Sequence, residues 1–228
     1  MRPSPPREAV RWLLPADCAL AVDLAAGTGL FTRALRREVS TVVAVEPDAR
    51  MASVLLARSS GVHVVSGRGE ALPLRTASAD ALLVSSAWHW MEPVSAVPEI
   101  ARVLRDGGRF GVIWTSRDRS VDWVADLDRL RETLANGEYR RYRRQVTLPD
   151  DGLFAGAENA SFTFTRRMTA DDLVAMLGTY SGLIAASPAE RASALGQARA
   201  ALIARFGDIT EIDVPMRSVC WRTNRTGQ

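Results

Sequence analysis

Five short apolar runs recur through the first half of the chain, and the segments between them carry helical periodicity. The runs are ALAVDL (19–24), TVVAVE (41–46), VHVVSG (62–67), DALLVSS (80–86) and RFGVIWTS (109–116). Short, apolar, β-branched runs separated by helices indicate a parallel sheet covered on both faces. The helical segments are REAVRWLL (7–14), LFTRALRREV (30–39), ARMASVLLARS (49–59) and VSAVPEIARVL (94–104). With right-handed crossovers the result is a doubly wound α/β sheet. After residue 117 the rhythm changes. Helical patterns cover 122–135, 169–177 and 188–206, the second opening on a Thr cap with two acids in its first turn. Strand-like patterns cover 161–168 and 210–222. Residues 161–166 and 211–221 are expected to pair as an antiparallel hairpin that closes the sheet, with the helices between them forming a small cap. The fold class predicted is α/β, doubly wound, with a mostly parallel seven-stranded sheet, an antiparallel C-terminal hairpin strand and a small helical cap.

The bulk properties exclude several function classes. The chain has 228 residues, 47% apolar and 24% charged, the balance of an ordinary globule. No apolar run approaches the ~18 residues of a membrane span. The opening MRPSPPREAV has no apolar core behind its basic residues, so no signal peptide is expected. Cys18 and Cys220 lie far apart and neither has a CxxC partner, which argues against a zinc site and against a disulfide framework. No metal is expected, and a reduced cytoplasm is the default location. There is no lysine, so all 29 basic residues are arginine, yet the net charge is only +3. That is too little to argue for nucleic acid. The densest basic stretch, EYRRYRRQV (138–146), reads as a solvated face.

The first run ends in a feature that needs explaining. In AVDLAAGTGLFTRAL (21–35), a single acid, Asp23, stands at the mouth of a buried strand, directly before Ala25-Ala26-Gly27-Thr28-Gly29. In a doubly wound sheet the ligand sits beyond the carboxyl ends of the strands, where the strand order reverses. Glycines there let backbone approach a ligand, and the following helix offers N–H groups. Glu46 ends the second run, where a carboxylate can accept hydrogen bonds from both hydroxyls of a ribose. A nucleoside ligand follows. The dinucleotide fingerprint is GxGxxG, but here the spacing gives Gly27, Gly29 and then Thr32. A dinucleotide also brings a pyrophosphate, which an acid at Asp23 would repel. A ligand with an ammonium and a sulfonium would be attracted instead, which points to S-adenosylmethionine.

Here the chain resembles the class I S-adenosylmethionine-dependent methyltransferases, in particular the small-molecule branch around the methyltransferase type 11 domain. Four stretches carry the resemblance in order: VDLAAGTG (22–29), VVAVEPD (42–48), GRGEALPLRTASADALLVSSAWHWM (67–91) and EIARVLRDGGRFGVIW (99–114). AWHW (87–90) with WTSRDRSVDWVADL (114–127) is similar to a subgroup compared with trans-aconitate-type methyltransferases. The resemblance implies S-adenosylmethionine as methyl donor and S-adenosylhomocysteine as product. It places cofactor contacts at Asp23, Ala25, Gly27, Gly29, Glu46, Pro47, Arg68, Gly69, Glu70 and Ser86. The resemblance covers about residues 20–117, and one methyltransferase domain over 1–228 is expected, with 7–117 as the cofactor-binding half and 118–228 as cap helices and strand pair. Two positions depart from the family pattern. Ala25 replaces a glycine, adding a methyl group that crowds the cofactor, although alanine is tolerated where φ is negative, and Arg68 replaces a small or acidic residue, where its planar guanidinium suits a place over the adenine. Relatives also carry residues ahead of the opening Arg-Pro, so the flap over the methionine carboxylate is expected to be short.

Methyl transfer is an in-line displacement, so the protein mainly aligns donor with acceptor and excludes water. A base is needed only where the acceptor is protonated at the working pH. His89, directly after the fourth run, is the candidate base. Trp88 and Trp90 flank it as candidate walls of the substrate site. Tyr180, beside Ser181 in GTYSG, and Arg117, whose fork would suit a carboxylate, are the remaining substrate-side candidates. The function expected is methyl transfer to a small molecule, with O-methylation of a carboxylate or hydroxyl favoured. The partners expected are a small-molecule substrate, no nucleic acid and no membrane. The alternatives are a catalytically silent S-adenosylmethionine-binding protein or partner subunit, an RNA methyltransferase, and last a nicotinamide-dependent enzyme.

Overall fold

The computed structural model describes residues 3–134, 146–149, 151–179, 183, 186–207 and 210–227. Most of the basic stretch, residues 138–145, and also Tyr180 and Ser181 lie outside the described residues.

The first half alternates as its pattern predicts. Helix α1 (Arg7–Leu13) leads into β1 (Leu20–Leu24), α2 (Leu30–Leu35), β2 (Thr41–Val45), α3 (Ala49–Arg58), β3 (His63–Val65), β4 (Ala79–Ser85), α4 (Pro93–Val103) and β5 (Leu104–Arg117). A 3-10 turn, Trp88–Trp90, follows β4. The second half holds α5 (Asp122–Leu134), β6 (Phe154–Met168), α6 (Ala170–Leu177), α7 (Pro188–Phe206) and β7 (Ile212–Arg225). The seven strands form one sheet in the order β3-β2-β1-β4-β5-β7-β6. The pairs β1–β2, β2–β3, β1–β4 and β4–β5 are parallel. At the far edge the pairs run antiparallel, with partner numbers falling on one strand as they rise on the other. Asp118 N–H donates to Pro215 O, and Thr115 shares a hydroxyl hydrogen bond with Ser218. Arg222 meets Glu158, whereas Arg167 meets Asp213.

The central strands are buried on both faces, and strict alternation sorts their side chains. Val22, Leu24, Leu82, Val84 and Val112 pack with Val97, Ile100 and Phe110 on one face. Ala21, Ala81, Leu83 and Ile113 pack with Ala9, Val10 and Leu13 of α1 and Phe31 and Leu35 of α2 on the other. Asp23, two residues after Ala21, therefore shares the α1/α2 face.

The chain divides into two compact units. One comprises Ser4–Thr115, Arg144–Phe162 and Ser218–Gln228; the other comprises Met1–Pro3, Ser116–Arg143 and Thr163–Arg217. In the second, Leu173, Met176 and Leu177 of α6 and Ala194, Ala198 and Leu202 of α7 pack with Ile212, Val214 and Met216. Both helices begin as their sequences predict. Thr169 accepts from Asp172 N–H at 3.0 Å, and Ser187 with Glu190 forms a reciprocal capping box.

Three elements depart from expectation. Helix α2 stops at Leu35, not at residue 39, because Arg37 and Glu38 donate to Ala34 and Leu35 three residues back and tighten the last turn. Strand β5 is continuous from Leu104, where a helix over 94–104 and a separate strand run from residue 109 were expected. Leu104 pairs with Ala79 and Arg109 with Ala81, so Arg105–Gly108 bulge outward with Gly107 at φ 72°. Strand β6 begins at Phe154, seven residues before the expected start at residue 161. Its first half, FAGAENA, lacks β-branched residues and lies largely exposed on the edge of the sheet.

Candidate functional site

The strand order reverses between β1 and β4, since β2 and β3 follow on one side and β5 on the other. Chain leaving the carboxyl ends of these two neighbours therefore borders the crevice where doubly wound sheets bind ligands. Loop 25–29 leaves β1, and the turn containing Ser86–Trp90 leaves β4.

Loop 25–29 is built from left-handed backbone. Ala25 and Gly27 both have φ 57°, and Gly29 has φ 79°. Ala25 does not take the negative φ at which alanine is tolerated: its methyl group is carried in a conformation that costs an L-residue roughly 1–2 kcal/mol. Ser86, after β4, is also left-handed at φ 57°, with its N–H donating to Ile113 O at 2.8 Å. Two non-glycine residues in this conformation therefore stand at the ends of the two central strands, where strain collects at functional sites. A Cβ on Gly29 would lie 2.7 Å from Leu55 Cγ, so this position accepts only glycine without displacement. A Cβ on Gly27 would meet nothing nearer than Met51 Sδ at 3.9 Å, which leaves the backbone open to close approach.

Two carboxylates flank the loop. Glu46, only 5% exposed, accepts from Gly27 N–H at 2.7 Å on Oε2 and from Asp48 N–H at 2.9 Å on Oε1. Each oxygen keeps a second lone pair for a further donor such as a ribose hydroxyl. Pro47, exposed, links Glu46 to Asp48, which caps α3 by accepting from Arg50 and Met51 N–H. Asp23 is wholly buried. Thr32 Oγ1 donates to its Oδ2 at 2.5 Å, and Oδ1 has no donor among the described residues. Burial raises the Asp23 pKa from 3.8 to about 7, the Thr32 hydrogen bonds oppose that rise, and the negative charge of Glu46 adds to it. A loop between two buried carboxylates repels a pyrophosphate and favours a cation, so these residues fit S-adenosylmethionine.

Loop 66–76 is held from α4. Leu72 N–H donates to Glu99, and Arg102 donates to Leu72 O at 3.0 Å, to Leu74 O at 2.9 Å and to Glu99. Within it Gly69 is buried, with room for a Cβ only 3.1 Å from Met91 Sδ, and Arg68 is exposed. Glu70 Oε1 accepts from Glu92 N–H at 3.0 Å, tying the loop to the start of α4.

After β4 the three residues of the turn divide. Trp88 is 4% exposed and packs on Phe110 with ring centroids 5.2 Å apart, so the core accounts for its ring. His89 is half-buried, its ring 4.9 Å from that of Trp90, and Trp90 is 74% exposed. Arg117 belongs to the other unit, where it is buried and paired with Asp128; Arg119 also reaches Asp128. That ion pair engages, through Nη2, the guanidinium expected to serve a substrate. Tyr180 is outside the described residues. Thus Asp23, Ala25, Gly27, Gly29 and Glu46 are brought together around one loop, and Ser86 and His89 stand at the end of the adjoining strand. Sequence reasoning missed the Thr32 hydroxyl and the Glu99–Arg102 clamp. Both had a signal: a threonine in place of the third fingerprint glycine, and an acid three residues before an arginine on one helix face.

Comparison with known proteins agrees with this geometry. Residues 22–112 match the methyltransferase domain family. Over 223 residues the chain is 35% identical to an uncharacterized methyltransferase of Mycobacterium bovis, covering 97% of this chain and 89% of that relative. A solved structure from Anaeromyxobacter dehalogenans, assigned as a type II methyltransferase, superposes with a TM-score of 0.77 at 26% identity, covering 99% of this chain and 98% of that one. A shorter match, 36% identical over 106 residues, is to the malonyl-acyl-carrier-protein O-methyltransferase of Methylococcus capsulatus, covering 44% of this chain and 38% of the relative.

Proposed function

The chain belongs to the class I S-adenosylmethionine-dependent methyltransferases, and from that premise we propose that it methylates an oxygen of a small-molecule carboxylate or hydroxyl. The observation that carries the cofactor assignment is the pair of buried carboxylates, Asp23 and Glu46, on either side of one open left-handed loop. When bound, S-adenosylmethionine supplies an electrophilic methyl group on a sulfonium, with its leaving group built in. Glu46 accepts from the ribose hydroxyls while its bond to Gly27 N–H holds the loop closed against it. Asp23 contributes negative charge on the methionine side. Gly69, Arg68 and Glu70 would border the adenine, and Ser86 shapes the chain at the end of β4. A relative named as an O-methyltransferase supports oxygen as the accepting atom.

His89 takes the proton of a hydroxyl acceptor onto an imidazole nitrogen, and Trp90 offers an apolar wall beside it. A carboxylate acceptor arrives already deprotonated and needs no base.

Methyl-tritiated S-adenosylmethionine, incubated with the protein and a panel of small carboxylic acids and phenols beside an RNA control, tests this reading. Label is expected in a small acid or phenol. For phenols, His89→Ala is expected to lower kcat about a hundredfold, and for carboxylic acids to leave it unchanged. Label confined to RNA would contradict the small-molecule assignment, and full phenol turnover by His89→Ala would remove the base.

A further inference from the structure

In the dinucleotide fingerprint the third glycine lets the first helix pack closely on its strand. Thr32 holds that position here, on α2, and it is wholly buried. Its hydroxyl reaches back to β1 and donates to Asp23 Oδ2 at 2.5 Å, while Asp23 Oδ1, equally buried, has no donor among the described residues. A buried carboxylate with one oxygen held and the other without a donor leaves a negative charge poorly compensated by its own protein.

The surroundings of Asp23 sharpen this. Its ladder neighbours are Ala44 on β2 and Leu83 on β4, neither of which titrates. Helix α1 contributes Ala9, Val10 and Leu13 to the same face. Arg33, the next residue on α2, donates instead to Thr28 O and Ser59 Oγ. From the end of β2, Glu46 adds a like charge. Thr32 is thus the group that stabilises the ionised form, and burial and Glu46 oppose it.

We propose that Thr32 is a positioning residue for the methyl donor: its hydroxyl fixes the Asp23 carboxylate whose negative charge draws the ammonium and sulfonium of an adenosyl ligand to loop 25–29. The proposal rests on the reading of that loop as the S-adenosylmethionine site. The coupling needs no direct contact, because charges interact strongly through a buried, low-dielectric medium. It also gives the threonine a part in specificity. The residue that replaces the glycine of a pyrophosphate-binding loop is the one that sustains a charge hostile to pyrophosphate.

Affinity for S-adenosylhomocysteine, which keeps the ammonium, is measured by calorimetry from pH 6.5 to 9 for the wild type, Thr32→Val and Thr32→Ser. The ligand's own titration is common to all three proteins. Thr32→Val keeps the shape and removes the donor, so Asp23 holds its proton to higher pH. Affinity is expected to fall about tenfold near pH 7, and the deficit to shrink toward pH 9, where Asp23 ionises unaided. Thr32→Ser, which restores the hydroxyl, is expected to follow the wild type throughout. Thr32→Ala, smaller and free of the extra methyl group, is expected to show the same pH-dependent deficit if the valine variant folds poorly. A deficit equal at every pH would reduce Thr32 to a packing role and overturn the proposal, as would unchanged affinity in folded Thr32→Val. If the wild type binds no adenosyl ligand, the reading of the loop falls, and this proposal with it.

Discussion

Asp23 is held in the fold at a cost to stability that its charge makes useful. Burial lifts its pKa from 3.8 to about 7 against the pull of Thr32. Over that window the native protein binds a proton that the unfolded chain has released, so raising the pH favours unfolding. The contribution of this group is therefore complete below the ordinary carboxylate range and lost as pH rises through about 7. Asp23→Asn keeps an acceptor for Thr32 and removes the charge. Its stability advantage over the wild type is expected to widen by about 1.4 kcal/mol per pH unit across the window and then stay constant. Affinity for S-adenosylmethionine is expected to fall in the same variant. Thermal denaturation across pH, read beside calorimetry, checks both; a stability difference independent of pH would mean that Asp23 keeps an ordinary carboxylate pKa. The acid itself was legible in the sequence, since a lone carboxylate ending an apolar run stands out. Its partner was legible only as a threonine standing where the fingerprint has its third glycine; that its hydroxyl reaches Asp23 Oδ2 is seen only from the 2.5 Å distance.

The elements around the site are positioned by polar contacts that apolar periodicity does not encode. Helix α4 buries Ala96, Val97, Ile100 and Val103, which the pattern predicts, but its exposed side also grips loop 66–76 through Glu99 and Arg102. The Arg102 guanidinium holds the Glu99 carboxyl below its usual range. Arg102→Gln is expected to release Leu72 O and Leu74 O, to cost about 1–3 kcal/mol, and to speed amide exchange at Leu72 more than in the β-sheet. Hydrogen exchange checks this, and unchanged protection at Leu72 would show that the clamp does not order the loop. Strand limits were read best where burial is two-sided. β1 and β2 start and end within a residue of their apolar runs, whereas β6, an edge strand with FAGAENA at its start, gave little sign of its first half. The Trp88–Trp90 pair was visible as a pair, but only packing distinguishes Trp88, against Phe110, from Trp90, in the open.

At the scale of the whole molecule, the sheet order puts the left-handed ends of β1 and β4 side by side where the strand order reverses between them. The alternation of short apolar runs made the doubly wound sheet legible, because parallel strands and right-handed crossovers admit few topologies; the left-handed backbone at Ala25 and Ser86 was not read from it. The half of the chain after residue 117 was less legible in function. Its helices follow their caps and patterns, yet Arg117, expected to meet a substrate, pairs with Asp128. Among the described residues no helix is long and apolar enough to cross a membrane, and no cluster of three metal-ligating side chains occurs. Loop 25–29, between Asp23 and Glu46, is proposed to hold a cationic adenosyl ligand and to reject a dinucleotide. Calorimetric titration of the purified protein with S-adenosylmethionine, S-adenosylhomocysteine and NADH tests this most directly. Both adenosyl ligands are expected to bind in the micromolar range, about −8 kcal/mol, and NADH not at all; binding of NADH, or of no adenosyl ligand, would overturn that assignment of the loop.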